Sequence, residues 1–345
     1  MKKPARNRPA GWVRQRGVAL LTAMLTVTMV ATFAAAALWQ QWRSVEIEAA
    51  ERSRTQMQWV LNGALDWARL ILQEDARNGD IDHLSEPWAL PLQEARLSSF
   101  LALDANNSDD AMEAFLSGQI SDQQALLNVR NLVQDGKPNA GAARAFGRLF
   151  TQLNLPRSQL QLLVDQLLAS DAASADPKDG SPGATPSASP AQSGQADAPL
   201  KPYRMEQLVW LGLPASTVRA LRPYATLLPV ATPVNLNTAA AEVIHAAVPD
   251  LDLARAQQLV ALRATAHFKN VAEALKAAGL TDADLSLLDA KDYSVGTHYF
   301  AVRGRLRLGE SAVQEVSLVE RNGSAVKVVW RQREALELQR TPSLQ

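Results

Sequence analysis

An uncharged apolar run from Val18 to Trp39, placed directly after a basic leader, constrains this 345-residue chain more than any other feature. The leader, residues 1–17, carries Lys2, Lys3, Arg6, Arg8, Arg14 and Arg16 and no acid. The run of 22 residues gives about 33 Å of helix at 1.5 Å per residue, and a bilayer core needs about 20 residues. It can therefore span a membrane. The hydroxyls of Thr22, Thr26, Thr28 and Thr32 can bond back to helix carbonyls, and its many Ala and Thr residues permit close helix approach. Basic residues ahead of a first apolar helix tend to stay cytoplasmic, which puts the bulk of the chain on the other side. A plain secretory signal carries its small cleavage-site residues after the apolar core. Here the only obvious glycine junction, Arg16-Gly17-Val18, precedes it, so a cut there would leave the helix on the mature chain. An uncut signal anchor is the plainer alternative.

No proline or glycine occurs from Val18 to Leu61, so the helix is predicted to continue beyond the lipid. Val45, Ile47, Met57, Val60, Leu61, Leu65, Ala68 and Leu72 recur at roughly helical spacing up to the stop at Asn78-Gly79-Asp80. A helix of that extent is about 90 Å long. The chain as a whole balances 35 basic against 35 acidic residues, so no global field favours nucleic acid or an anionic surface. It has no cysteine, which excludes disulfides, thiol catalysis and Cys-based metal sites.

The remaining sequence divides by composition. Residues 79–122 form a connecting region; its Ile120-x-Asp122, with Asn128, Asn131 and Leu132 beyond it, resembles the strand and turn found after the long helix in a family of pilin-like proteins. Residues 123–170 read as helical, with one apolar stripe of Phe146, Leu149, Phe150 and Leu153 and, past Pro156, a second of Leu160, Leu163, Val164 and Leu167. Residues 171–201 are a Pro/Ala/Ser linker with no aromatic or large aliphatic residue before Leu200, and are expected to be a mobile loop. Helical patterning resumes over 202–290, where Asn237 or Thr238 is a predicted N-cap with Glu242 in the first turn. Over 291–333 the period changes to β, with runs at Tyr299–Leu308, Ala312–Arg321 and Val326–Arg331. Asn322-Gly323 marks a hairpin, so about three antiparallel strands are predicted, followed by a tail, 334–345.

These features together resemble the type IV pilin-like proteins, whose dedicated prepilin peptidase cuts after glycine and N-methylates the new terminus. The resemblance implies cleavage between Gly17 and Val18 with N-methylation of Val18. That family usually has Glu at the fifth mature position, which here is Thr22. The combination of a missing Glu with a helical block between helix and meander resembles the protein K family of type II secretion minor pseudopilins. Along the whole chain the resemblance implies an α+β, pilin-like fold: a long N-terminal helix (18–39 in the membrane, 40–78 beyond it) and a C-terminal antiparallel meander. A large all-α insertion with helix-hairpin-helix or SAM-like modules separates the two. It further implies partnership with minor pseudopilins I and J, the major pseudopilin fibre, prepilin peptidase and inner-membrane lipid, at the tip of a periplasmic pseudopilus. A minor pilin of a type IV pilus is the neighbouring alternative.

Three rival readings follow from single motifs. Asn235 to Leu275 resembles a helix-hairpin-helix DNA-binding repeat, but its hairpin reads Pro249-Asp250-Leu251-Asp252. Aspartates stand where the repeat uses glycines to cradle phosphate, so nucleic acid is not expected as a partner. Asp165, Asp171, Asp176 and Asp179 fall where the family resembles calcium binders, yet tight acid spacing is missing and no calcium ligand is assigned. No cofactor is required. His83, His245, His267 and His298 are scattered in sequence, Asp109-Asp110 reads as a solvated turn, and no catalytic motif appears, so no enzyme is expected. Trp12, Trp39 and Trp42 flank the apolar run, whereas Trp59 and Trp67 are predicted to share a face and pack under the globular domain.

Overall fold

The computed structural model describes residues 16–97, 114–174, 199–308 and 311–336. The leader ahead of Arg16, Trp12 within it, the Asp109–Asp110 pair and most of the linker, with Asp176 and Asp179, lie outside these residues. The chain separates into two compact units, Met1–Trp59 and Val60–Gln345.

Helix α1 spans Arg16–Asn78 without a break, as a run free of Pro throughout and of Gly from Val18 to Leu61 allows. In the first unit its apolar side chains are exposed all round, from Val18, Leu20 and Leu21 to Phe33 and Leu38. A helix with no polar face and no protein cover belongs in an apolar solvent. Thr22 Oγ1 donates to the Ala19 carbonyl at 3.0 Å, and Thr26, Thr28 and Thr32 bond three residues back in the same way. The hydroxyls are thus satisfied within the helix. Among the described residues this is the one helix long and apolar enough to cross a membrane. Trp39 and Trp42 follow the span with ring centroids 5.8 Å apart.

The second unit is built on an antiparallel sheet of five strands, not three. The strands β1 (Leu92–Arg96), β2 (Ala114–Asp122), β3 (Tyr299–Leu308), β4 (Ser311–Asn322) and β5 (Ala325–Leu336) lie side by side in chain order. β1 escapes sequence reading, and of β2 only the Ile120–Asp122 end is legible, because Gln93, Glu94, Ser117, Gly118 and Gln119 blur their alternation. The first meander strand, Tyr299–Leu308, stands where the sequence places it, and the last reaches Leu336, past the expected Arg331. The Asn322–Gly323 turn forms as expected, with Asn322 paired to Ala325 and Gly323 at φ +56°.

The C-terminal part of α1 lays Leu65, Ala68 and Leu72 on Trp88, Ile120, Phe300, Val302, Val319 and Val326. Full burial of each large side chain contributes about 1.5–3 kcal/mol. This stripe corrects the tryptophan expectation. At 3.6 residues per turn, Trp59 and Trp67 fall on the side away from Leu61, Leu65, Ala68 and Leu72, and both are exposed. The sheet accepts slim side chains there: a Cβ on Gly304 would sit 3.3 Å from Leu61 Cδ2. Among the described residues the buried tryptophan is Trp88, edge-on to Phe300.

β2 and β3 are hydrogen-bonded neighbours, with register from Ala114↔Leu308 to Asp122↔Phe300. Residues 123–298 therefore occupy the place of a hairpin loop. This insertion contains α2 (Ala140–Gln152), α3 (Arg157–Ser174), α4 (Ala215–Leu221), α5 (Ala241–Ala247), α6 (Leu253–Thr265), α7 (Val271–Ala277) and α8 (Asp282–Ser286). It has its own core, in which Phe146, Leu149, Phe150, Leu163, Val164 and Leu167 are buried and Leu153 and Leu160 half-buried, as the two stripes predict. It is not purely helical: Leu127–Asn128 pairs with Ala225–Thr226, and Val234–Asn235 with Tyr293–Ser294, both in parallel. The fold is α+β: a long N-terminal helix, an antiparallel sheet, and a mainly helical insertion between two of its strands.

Candidate assembly site

The insertion leaves the sheet at Asp122 and returns at Tyr299, and polar groups close this neck. Asp122 ends β2 pointing inward. Its Oδ1 accepts from the Gln124 amide at 2.6 Å and from Thr297 Oγ1 at 2.7 Å; its Oδ2 accepts from Thr238 Oγ1 at 2.6 Å and Asn235 Nδ2 at 3.0 Å. One carboxylate thus joins the outgoing strand, the returning strand and the middle of the insertion. Gln123 N donates to Tyr299 O, and His298 N to Gln124 Oε1, completing the closure.

A second node lies beside it. Arg321, near the end of β4, points inward and is buried. Its Nη1 donates to Asp75 Oδ2 of α1 at 2.6 Å and its Nη2 to Asp82 Oδ2 at 2.6 Å and to the Thr297 carbonyl at 3.0 Å. Asp82 Oδ2 also accepts from the Thr297 amide at 2.7 Å. Helix, connecting segment, neck and sheet meet on one guanidinium, whose carbon lies 4.8 Å from the Phe300 ring centre. Gly296 makes the closest approach: a Cβ there would stand 2.1 Å from the Asp80 carbonyl oxygen.

Asp75 and Asp82 share one arginine and Asp122 is bonded by neutral donors, so protons are held tightly. Burial pushes Asp82 up to about 7 against the pull of Arg321 and the Thr297 amide, and burial likewise raises Asp122 and Asp75. A carboxyl raised from 3.8 in the unfolded chain takes up a proton on folding. Its contribution is therefore greatest below pH 4 and is lost as pH rises through about 7. Asp82→Asn is expected to flatten that part of the stability–pH curve, by up to about 4 kcal/mol. Urea midpoints of both proteins between pH 4 and 8 check this; parallel curves would contradict it.

Several expected roles move. Neither Asn237 nor Thr238 caps α5, whose N-cap is Ala240 with no side-chain bond. Thr238 is drawn instead to Asp122, and Asn237 bonds Phe268 both ways, Nδ2 to O and Oδ1 from N, each at 2.9 Å. Buried partners outweigh a cap here because an unpaired buried polar group costs more than an uncapped helix end. Two of the scattered histidines meet, with His83 and His267 stacked at 3.9 Å. Burial, with the His267 ring, lowers His83 although Glu86 opposes this.

Asp250 does take the left-handed conformation natural to a glycine, at φ +56°. Asp252 caps α6 by accepting from the Arg255 amide at 2.8 Å. The end of the hairpin that would receive a phosphate is therefore filled by the chain's own carboxylate. Of the calcium candidates, Asp165 is bonded by Gln161, and Asp171 binds Arg130 and Lys201. Burial alone would raise Asp171, but those two cations hold it below the usual range. Asp75, Asp82 and Glu86 bring oxygens within 4.8 Å of one another, yet Arg321 supplies the positive charge to two of them.

Arg321, Asp82 and Gly296 escaped the sequence reading. The signal for Arg321 was strand alternation, which puts it on the inward face with Val319.

The insertion decides the family. Sequence models described as type II secretion system, protein K, match residues 125–230 and 234–296, which is nearly all of it. The chain belongs to the type II secretion system protein K family. Curated members of this family include that of Pseudomonas aeruginosa, 28% identical over 318 residues covering 89% of each chain. The Klebsiella pneumoniae member is 27% identical and covers 92% of this chain and 96% of its own. A chain in the crystal structure of the GspK–GspI–GspJ complex from enterotoxigenic Escherichia coli shares the fold, with TM-score 0.60, 20% identity and coverage of 83% and 98%.

Proposed function

We propose that this chain is a minor pseudopilin that acts at the tip of the type II secretion pseudopilus, in complex with minor pseudopilins I and J. Its work is to initiate or cap assembly of the major pseudopilin fibre and so to support export of folded proteins across the outer membrane. Prepilin peptidase would cut between Gly17 and Val18 and N-methylate Val18. Residues 18–39 would stay in the inner membrane with the bulk of the chain in the periplasm. The role is structural and needs no catalyst, cofactor or nucleic acid.

The observation that carries this reading is the insertion of residues 123–298 between two paired strands of a pilin-like sheet, in a chain of the protein K family. A mass of that size obstructs further stacking. Thr22 supports the same placement. Its hydroxyl is bonded to the Ala19 carbonyl, and it offers no carboxylate to the terminal amine of a neighbour, a pairing that matters in low dielectric. Thr22→Glu is accordingly expected to leave processing intact, whereas replacing Gly17 by a bulky residue blocks it; immunoblots of precursor and mature forms check both. The assembly claim is tested by co-expressing the tagged full-length chain with minor pseudopilins I and J of its own host. A ternary complex surviving size exclusion in detergent is expected. Elution of this chain alone, while I and J stay paired, would contradict it.

A further inference from the structure

A groove on the insertion has no part in the neck or the anchor. It lies between α2, α3 and the α5–α6 hairpin and encloses about 970 Å³. Its lining includes Arg144, Arg148 and Arg157 and no carboxylate. Arg148 is committed to the fold, donating to the Ala246 and Ala247 carbonyls at the end of α5. Arg144 and Arg157 are not: they touch only the Ala140 carbonyl and the Thr151 hydroxyl, at 3.3 and 3.4 Å.

Two further observations point to an occupant. Gln152 lines the groove, and its Oε1 is buried without a hydrogen-bond partner, a costly state for an acceptor unless a donor arrives. Gly147 sits inside α2, where glycine is disfavoured relative to alanine, yet no atom lies within 4 Å of where its Cβ would be. Packing does not demand this glycine. It leaves a bare strip of helix that another backbone can approach closely.

We propose that this groove binds an acidic, partly apolar peptide segment of a partner protein. Its carboxylates pair with Arg144 and Arg157, a backbone N–H donates to Gln152 Oε1, and its chain crosses Gly147, with apolar side chains against Leu160 and Leu253. The arrangement combines charge-assisted bonds with one buried amide contact.

The test uses the full-length chain in neutral detergent and fluorescence anisotropy. The probe is a short fluorescein-labelled peptide alternating Asp or Glu with Leu. Saturable binding is expected, weakened about tenfold or more in Arg144→Glu/Arg157→Glu. The same peptide carrying Asn and Gln in place of its acids is expected to bind about tenfold less well. Gly147→Ala is expected to weaken binding while raising the melting temperature by roughly 2 °C. Arg303→Glu/Arg305→Glu, on the exposed sheet, should leave binding unchanged. The proposal is overturned by a lack of saturation, by equal binding of the amide peptide, or by equal loss in the sheet variant. It is overturned as well if Gly147→Ala stabilises the chain and binds the acidic peptide as before.

Discussion

Arg321→Met should cost the second unit about 3–5 kcal/mol, because it leaves two buried carboxylates without their cation. Asp75 and Asp82 both depend on the Arg321 guanidinium, which also bonds the Thr297 carbonyl. Methionine fills comparable volume, so the loss is electrostatic rather than a cavity effect. Pairing it with Asp82→Asn removes one stranded charge, and the double variant is expected to recover part of the loss. Such recovery is the mark of coupled residues. Urea denaturation of the full-length chain in detergent measures all three variants. A loss below about 1 kcal/mol would mean that the joint does not hold helix, neck and sheet together.

Gly296→Ala is the second large effect, expected to cost about 3 kcal/mol. The new Cβ would meet the Asp80 carbonyl oxygen at 2.1 Å, with Asp82 Oδ2 at 3.4 Å. The obstacle is backbone, which cannot swing aside like a flexible side chain. Relief requires moving residues 80–82, and Asp82 N is bonded to the Val295 carbonyl at 2.9 Å. Gly63→Ala is the natural contrast: that glycine lies inside α1 with nothing within 4 Å of its Cβ position, so alanine there should stabilise by up to about 1 kcal/mol. The two variants should shift the melting temperature in opposite directions. Equal shifts would show that Gly296 is not tightly enclosed.

What the sequence revealed follows from how local each signal is. The α1 helix, the apolar stripes of α2 and α3 and the Asn322–Gly323 hairpin rest on periodicity or on two adjacent residues, and they stand where expected. The rest depends on distance along the chain. β2 is a strand because β3 offers it an edge, and β1 because β2 does; their own alternation is weak. Thr238 has good N-cap chemistry, but Asp122 lies 116 residues away in sequence and 2.6 Å away in space. Arg321 in an alternating strand looks like a solvated charge until Asp75 and Asp82 are brought beneath it. The family was legible from the order of helix, insertion and meander; the neck that holds the insertion was not.

The central claim is that this chain is processed and anchored as a pseudopilin. The most direct measurement is the mass and N-terminal fragmentation of the mature protein isolated from membranes of cells that contain prepilin peptidase. The account predicts N-methylated Val18 as the first residue, with the apolar run from Val18 to Trp39 retained. A mature terminus beginning anywhere else, above all beyond Trp39, would contradict it.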